Sequence, residues 1–72
     1  MKLKEIIFLV EEDPEGGYTA KALDFSIFTD GDTIEDLKIN IKDAIQCHFD
    51  DVTDLPSIIR LHIVKEETFK YA

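Results

Sequence analysis

The sequence predicts a small α+β domain with the element order β-β-β-α-β. Three observations carry this prediction: a helical apolar pattern that begins after Gly31, two apolar runs joined by a glycine-containing turn, and one more apolar run near the end of the chain. Because 72 residues suffice for one domain, we expect residues 1–72 to form a single unit. A domain of this size buries only about 60% of its unfolded surface, so its core has little stability to spare.

The first half of the chain is predicted to form a β-hairpin. The run Lys2–Glu11 is apolar on both faces, which is typical of a central strand covered on both sides. A turn follows at 12–17, where Pro14 fixes φ and two glycines can adopt positive φ. Apolar and polar residues then alternate along Tyr18–Leu23, which predicts the second strand. The two faces of the first strand carry Ile6, Phe8 and Val10 on one side and Leu3, Ile7 and Leu9 on the other.

A single long helix is predicted within Gly31–Phe49. Thr33 has the hydroxyl of an N-cap, and Asp36 stands three residues later, as in a capping box. We expect the last turn to fray and the helix to end near Asp50 or Asp51, because carboxylates at a helix C-terminus oppose its dipole. Apolar residues recur at three- and four-residue spacing and form one stripe: Ile34, Leu37, Ile41, Ala44, Ile45 and Phe49.

The remaining strands complete a four-stranded mixed sheet. The third strand is predicted at Ser26–Thr29 and the fourth at Ile58–Val64. A tail follows, which Phe69 and Tyr71 could dock on the domain. A right-handed crossover through the helix and a central first strand give the strand order 3-2-1-4. One helix covers one face of such a sheet, and an uncovered apolar face predicts a homodimer or a higher homo-oligomer.

The charge of the chain limits its partners. Sixteen acidic and eight basic side chains give a formal net charge of −8, which repels phosphate and argues against direct binding of nucleic acid. This excess of acidic side chains either keeps the protein soluble or complements the charge of a basic partner. The apolar run at 6–10 is too short for a membrane span and no signal peptide is evident, so we expect a cytoplasmic protein.

No pattern singles out a catalytic or metal site. Cys47 is the only cysteine, which excludes an internal disulfide and a cysteine-only zinc site. Cys47-His48 and His62 are expected to have packing and surface roles, and Ile39 lies opposite the apolar stripe of the helix. We expect no enzyme activity, no cofactor and no bound metal. The carboxylates that a nuclease centre would require have no distinctive spacing: Glu11, Asp24, Asp43 and Asp50.

Two segments of the chain resemble one known family. They are Glu11–Tyr18 and Thr29–Leu37, the latter followed by Asn40-Ile41 and Ala44-Ile45. Together they resemble HicB, the antitoxin of the HicA–HicB toxin–antitoxin pairs, over roughly residues 1 to 50. The family usually has Pro-Gly-Cys ahead of its third strand, where this chain has Phe25-Ser26-Ile27. Many members also carry a C-terminal DNA-binding module, which this chain is not expected to have.

The resemblance implies a partial ribonuclease-H-like fold and an antitoxin function. The HicB domain binds and blocks HicA, a small basic messenger-RNA-cleaving toxin with a double-stranded-RNA-binding fold. We therefore expect a module that neutralises a small basic toxin protein. The alternative is a stand-alone, self-associating structural or small-ligand-binding domain without a toxin. Carboxylates of the hairpin turn and the helix are the candidate contacts to the toxin: Glu12, Asp13, Glu15, Glu35, Asp36 and Asp43.

Overall fold

Four strands form one mixed sheet, and a helix lies across one of its faces. The computed structural model describes residues 4–51, 54–65 and 67–71. The elements are β1 (Glu5–Glu12), β2 (Tyr18–Ala22), β3 (Phe28–Gly31), α1 (Ile34–His48) and β4 (Ile58–Val64). The strand order is β3-β2-β1-β4, with β1 antiparallel to β2, β2 antiparallel to β3, and β1 parallel to β4. The predicted fold class and strand order are confirmed.

The β1–β2 turn is fixed by its own backbone and by one carboxylate. The Asp13 amide donates to the Gly17 carbonyl at 3.0 Å, and the Gly16 amide donates to the Asp13 carbonyl at 2.9 Å. The Asp13 side chain accepts from the Glu15 amide at 2.9 Å. Gly16 and Gly17 have φ values of 107° and 82°, which L side chains rarely adopt. The turn thus uses both glycines as the sequence predicts.

Helix α1 begins at the predicted cap and ends slightly early. The Thr33 hydroxyl accepts from the Asp36 amide at 3.0 Å, which confirms the N-cap. The helix ends at His48 rather than near residue 50 or 51, and Phe49 is the C-cap in an extended conformation. This conformation is compatible with a ring that packs against the core and lies 5.2 Å from that of Phe25. Packing of Phe49 is therefore the physical reason we assign to the early end.

The core lies between α1 and the facing side of the sheet. Leu37, Ile41 and Ile45 of the helix are buried, as the stripe predicts. The strands contribute side chains from β1 and β2, together with Ile27 just ahead of β3. These buried residues are Ile6, Phe8, Val10, Ala20, Ala22 and Ile27. The helix therefore covers the Phe8 side of β1, and the other side of the sheet carries Ile7 and Leu9.

Three strands differ from the prediction in their bounds, among them β1, which ends at Glu12 rather than Glu11. Strand β3 occupies Phe28–Gly31 rather than Ser26–Thr29, and β2 ends at Ala22. The Ala22 amide donates to the Ile27 carbonyl at 3.0 Å, so the residues between them form the reversal and pairing starts later. Strand β1 begins at Glu5; the predicted start at residues 2 and 3 lies outside the described residues. Strand β4 has its predicted bounds.

Helix α1 approaches β3 closely at a glycine. A Cβ atom added to Gly31 would lie 2.6 Å from the Leu37 amide nitrogen and 2.8 Å from the Leu37 Cα. Both are backbone atoms of the helix, so the space at Gly31 admits no side chain. The Asn40 side-chain amide donates to the Asp30 carbonyl at 2.8 Å and joins the helix to the same strand. The start of α1 is therefore held against the end of β3 at two points.

Substitutions in α1 test the cap and the core separately. Thr33→Ala removes the acceptor of the Asp36 amide and should lower the free energy of unfolding by about 1 kcal/mol. Leu37→Ala empties a fully buried position and should cost roughly 2–5 kcal/mol. Urea unfolding followed by circular dichroism measures both, with the exposed Asp43→Ala as control. An unchanged midpoint for Leu37→Ala would show that the helix buries a different face.

Gly31→Ala tests the close approach of α1 to β3. The added methyl group meets helix backbone rather than a flexible side chain, so we expect a loss of about 1–3 kcal/mol in unfolding free energy. Asp32→Ala, an exposed neighbour, is the matched control. Amide hydrogen exchange in the first turn of α1 should also become faster in Gly31→Ala only. Wild-type stability and exchange in this variant would contradict the tight packing.

Candidate protein-binding site

The hairpin turn and the start of the helix meet at one end of the sheet. The strand register places Glu12 beside Tyr18 and Tyr18 beside Gly31. A Cβ atom added to Gly17 would lie 2.9 Å from the Gly31 carbonyl oxygen, so the β1–β2 turn touches the residues that lead into α1. Carboxylates from three segments therefore share this end. We call it the acidic end, with Glu12, Asp13, Glu15, Asp30, Asp32, Glu35 and Asp36.

Five of the six predicted contact residues belong to the acidic end. Glu12, Asp13 and Glu15 lie at the hairpin turn, and Glu35 and Asp36 lie in the first turn of α1. In that first turn the helix dipole favours negative charge, so the carboxylates there also stabilise the helix.

Asp43 is the predicted contact residue that lies elsewhere. It follows Asp36 by seven residues, which is about 10 Å along a helix. It is exposed on the outer side of α1 near Ile39, which is 65% exposed, as its position opposite the stripe predicts. A partner that covers the acidic end would need to extend along α1 to reach it.

Sequence reasoning missed two members of the acidic end. Asp30 and Asp32 flank Gly31 and line one shallow cleft with Asp13 and Tyr18. The register of β2 and β3 could have revealed them, because pairing of Tyr18 with Gly31 brings Gly31 to the level of the β1–β2 turn. The ion pairs Lys4–Asp54 and Arg60–Glu5 involve no carboxylate of the acidic end.

The residues weighed for catalysis are not brought together. Glu11 lies on β1, Asp24 follows β2, Asp43 lies on the outer side of α1, and Asp50 follows the helix. Within residues 4–51, 54–65 and 67–71, no group of three or more His, Cys, Asp or Glu side chains could hold a metal ion.

Cys47 and the two histidines lie on the surface. Cys47 is an exposed free thiol. His48 is exposed, and its ring contacts those of Phe25 and Phe49 edge-on at 5.9 and 4.9 Å. It lies in the last turn of α1. His62 pairs with Leu9 on the side of the sheet away from the helix.

The side of the sheet away from α1 is a second candidate surface. We call it the open face. Ile7 and Leu9 are half-buried there, Phe28 is 67% exposed, and the Arg60 guanidinium binds the Glu5 carboxylate at 2.7 Å. Its members follow from the register: Glu5, Ile7, Leu9, Glu11, Thr19, Lys21, Phe28, Asp30, Ile58, Arg60, His62 and Val64.

Comparison with known proteins places the chain in a family. A protein of Thermotoga maritima named UPF0150 protein is 46% identical over 65 residues, which cover 90% of each chain. Another UPF0150 protein, from Archaeoglobus fulgidus, is 52% identical over 50 residues, or 69% of this chain and 74% of the relative. The chain belongs to the UPF0150 family. No family model matches this member, and neither does any solved structure.

The described part of this UPF0150 protein contains no helix that is long and apolar enough to cross a membrane. In the C-terminal segment, residues 67–71, neither aromatic side chain docks on the domain. Phe69 is 90% exposed and Tyr71 is fully exposed. The segment follows β4 past the hairpin turn, where Thr68 lies beside Asp13 and Pro14. The chain thus presents an acidic end, an open apolar face and two exposed aromatic rings.

Proposed function

We propose that this UPF0150 protein is a HicB-like antitoxin module, which neutralises a small basic HicA-like toxin by binding it. The observation that supports this function is the acidic end, where carboxylates of the hairpin turn, the end of β3 and the first turn of α1 lie at one end of the sheet. In a chain of net charge −8, this concentration attracts a basic protein and repels nucleic acid.

Binding alone is sufficient for neutralisation. A messenger-RNA-cleaving toxin needs a basic surface to hold its substrate, because the RNA backbone is a chain of phosphates. Carboxylates that occupy this surface compete with RNA without any chemical step. Charge steering accelerates such association and weakens as salt screens it. The antitoxin therefore requires neither a nucleophile nor a metal, only a negative surface with a fixed shape.

Several residues that resemble HicB hold the acidic end in place, although they do not themselves supply its carboxylates. Gly31 gives the helix room, Thr33 caps it, and Asn40 joins it to β3. Together they hold Glu35 and Asp36 beside the hairpin turn. The resemblance and the acidic end are therefore two aspects of one arrangement, in which a rigid helix start presents the carboxylates.

The open face favours a second candidate function. Phe28, Ile58 and Val64 are exposed there beside the half-buried Ile7 and Leu9. Exposed apolar patches on small domains are typical of interaction sites. A self-associating structural or small-ligand-binding domain, with no toxin, would use this face and leave the acidic end in water.

Co-expression with a small basic protein encoded beside this chain tests the antitoxin function. We expect the two proteins to co-purify and growth to recover from the toxin. Glu12→Lys with Glu15→Lys should abolish both, because it reverses charge at the acidic end. The matched control is Asp24→Lys with Asp50→Lys. Each of the two double variants changes the net charge by +4, from −8 to −4.

Three outcomes would contradict the proposal. The first is the lack of any adjacent basic protein that co-purifies and whose toxicity is relieved. The second is equal loss of binding in both pairs of variants, which would assign the effect to net charge rather than to the acidic end. The third is hydrolysis of RNA or DNA by the purified chain with magnesium or manganese, if a single carboxylate substitution removes it.

A further inference from the structure

A groove runs between α1 and β4 on the helix side of the sheet. Ile41 of the helix and Ile59 and Leu61 of β4 form its apolar floor, and Lys38 and Lys42 form one wall. Its volume is about 190 Å³. The groove exists because α1 lies nearest β3, at the opposite edge of the sheet, and leaves the β4 edge less covered.

A second depression continues this groove toward the helix C-terminus. Lys42 and Ile59 line both depressions. The second is also lined by Ile45, Gln46, Leu55, Pro56 and Ser57. Alternate residues of a strand on the same face are about 6.6 Å apart. The continuous groove therefore offers apolar contacts at strand spacing along β4.

The C-terminal segment 67–71 has the matching pattern. In an extended chain, Glu67, Phe69 and Tyr71 share one side, while Thr68 and Lys70 face the other. Both aromatic rings are at least 90% exposed, so this chain's own groove does not receive them. Large exposed aromatic side chains at such spacing are typical anchors for a partner's apolar groove.

We propose that two copies of this chain exchange their C-terminal segments, so that Phe69 and Tyr71 of one copy lie in the α1–β4 groove of the other. Charge favours this placement, because Glu67 lies on the side of the rings and the groove wall carries Lys38 and Lys42. These lysines stand out in a chain with sixteen acidic and eight basic residues.

The reciprocal exchange places four aromatic side chains in two grooves. A buried aromatic side chain removes about 150–250 Å² from water, so the four rings together remove roughly 600–1,000 Å². The reciprocal contact is closed by a two-fold axis, so association stops at the dimer.

Sedimentation equilibrium of the full-length protein tests the exchange. We expect a dimer at micromolar concentration. Phe69→Ala with Tyr71→Ala should raise the dissociation constant by at least about 30-fold, the effect of losing one hot-spot residue. Both side chains are exposed in the single copy, so the variant should keep its fold, which circular dichroism verifies. Phe28→Ala, which removes an exposed ring from the open face, is the matched control and should remain dimeric.

A charge exchange tests the orientation of the segment. Lys38→Glu with Lys42→Glu should weaken the dimer, and Glu67→Lys added to them should restore part of the lost affinity. A segment that docks elsewhere would show no such restoration.

Two results would overturn the proposal. Wild-type protein that stays monomeric at all concentrations would show that copies do not exchange segments. A dimer that dissociates in Phe28→Ala but not in the double aromatic variant would place the interface on the open face. The proposal does not rest on toxin binding, because capture of a basic protein uses the acidic end and should persist in the double aromatic variant.

Discussion

The close approach of α1 to β3 at Gly31 determines most of the molecule. No side chain fits between this glycine and the backbone of Leu37, so the helix can lie directly against the end of the strand. The Thr33 cap and the hydrogen bond from Asn40 to the Asp30 carbonyl fix the same junction. Three consequences follow. The apolar stripe of α1 covers the inner sides of β1 and β2, the first turn of the helix stands beside the hairpin turn, and the β4 edge is left with a groove.

Local sequence patterns predict which helices and strands form. The exact bounds of β3 and of α1 depend on long-range contacts that these patterns do not contain. The helix cap and the strand order 3-2-1-4 follow from capping chemistry, apolar spacing and crossover geometry, and the structure has them. The position of β3 depends on the hydrogen bond between Ala22 and Ile27, which no local pattern specifies. We assign the helix end to the packing of Phe49 against the core, a contact that charge near residue 50 does not reveal.

The candidate site also depends on both local sequence and long-range contacts. Five acidic contact residues were predicted one by one from charge, but their meeting at one end depends on the register that pairs Tyr18 with Gly31. The same register adds Asp30 and Asp32, which charge alone did not distinguish from other surface carboxylates. Asp43 has a similar charge and exposure, yet the length of α1 separates it from the others.

Three surfaces of this UPF0150 protein differ in chemistry, and each therefore suits a different kind of partner. The acidic end suits a basic protein, since it combines many carboxylates with a rigid helix start. The α1–β4 groove has an apolar floor and a lysine wall, which suit an aromatic segment with a carboxylate. The open face mixes apolar side chains with the Arg60–Glu5 ion pair. The proposed toxin binding and the proposed self-association therefore use different surfaces.

Chemical-shift mapping of the amide signals, as a co-purifying small basic protein is added to the labelled protein, tests whether the acidic end binds such a partner. We expect the largest shift changes at 12–17 and 32–36, with weaker binding at higher salt. Changes confined to the open face, or binding that salt does not weaken, would contradict binding at the acidic end.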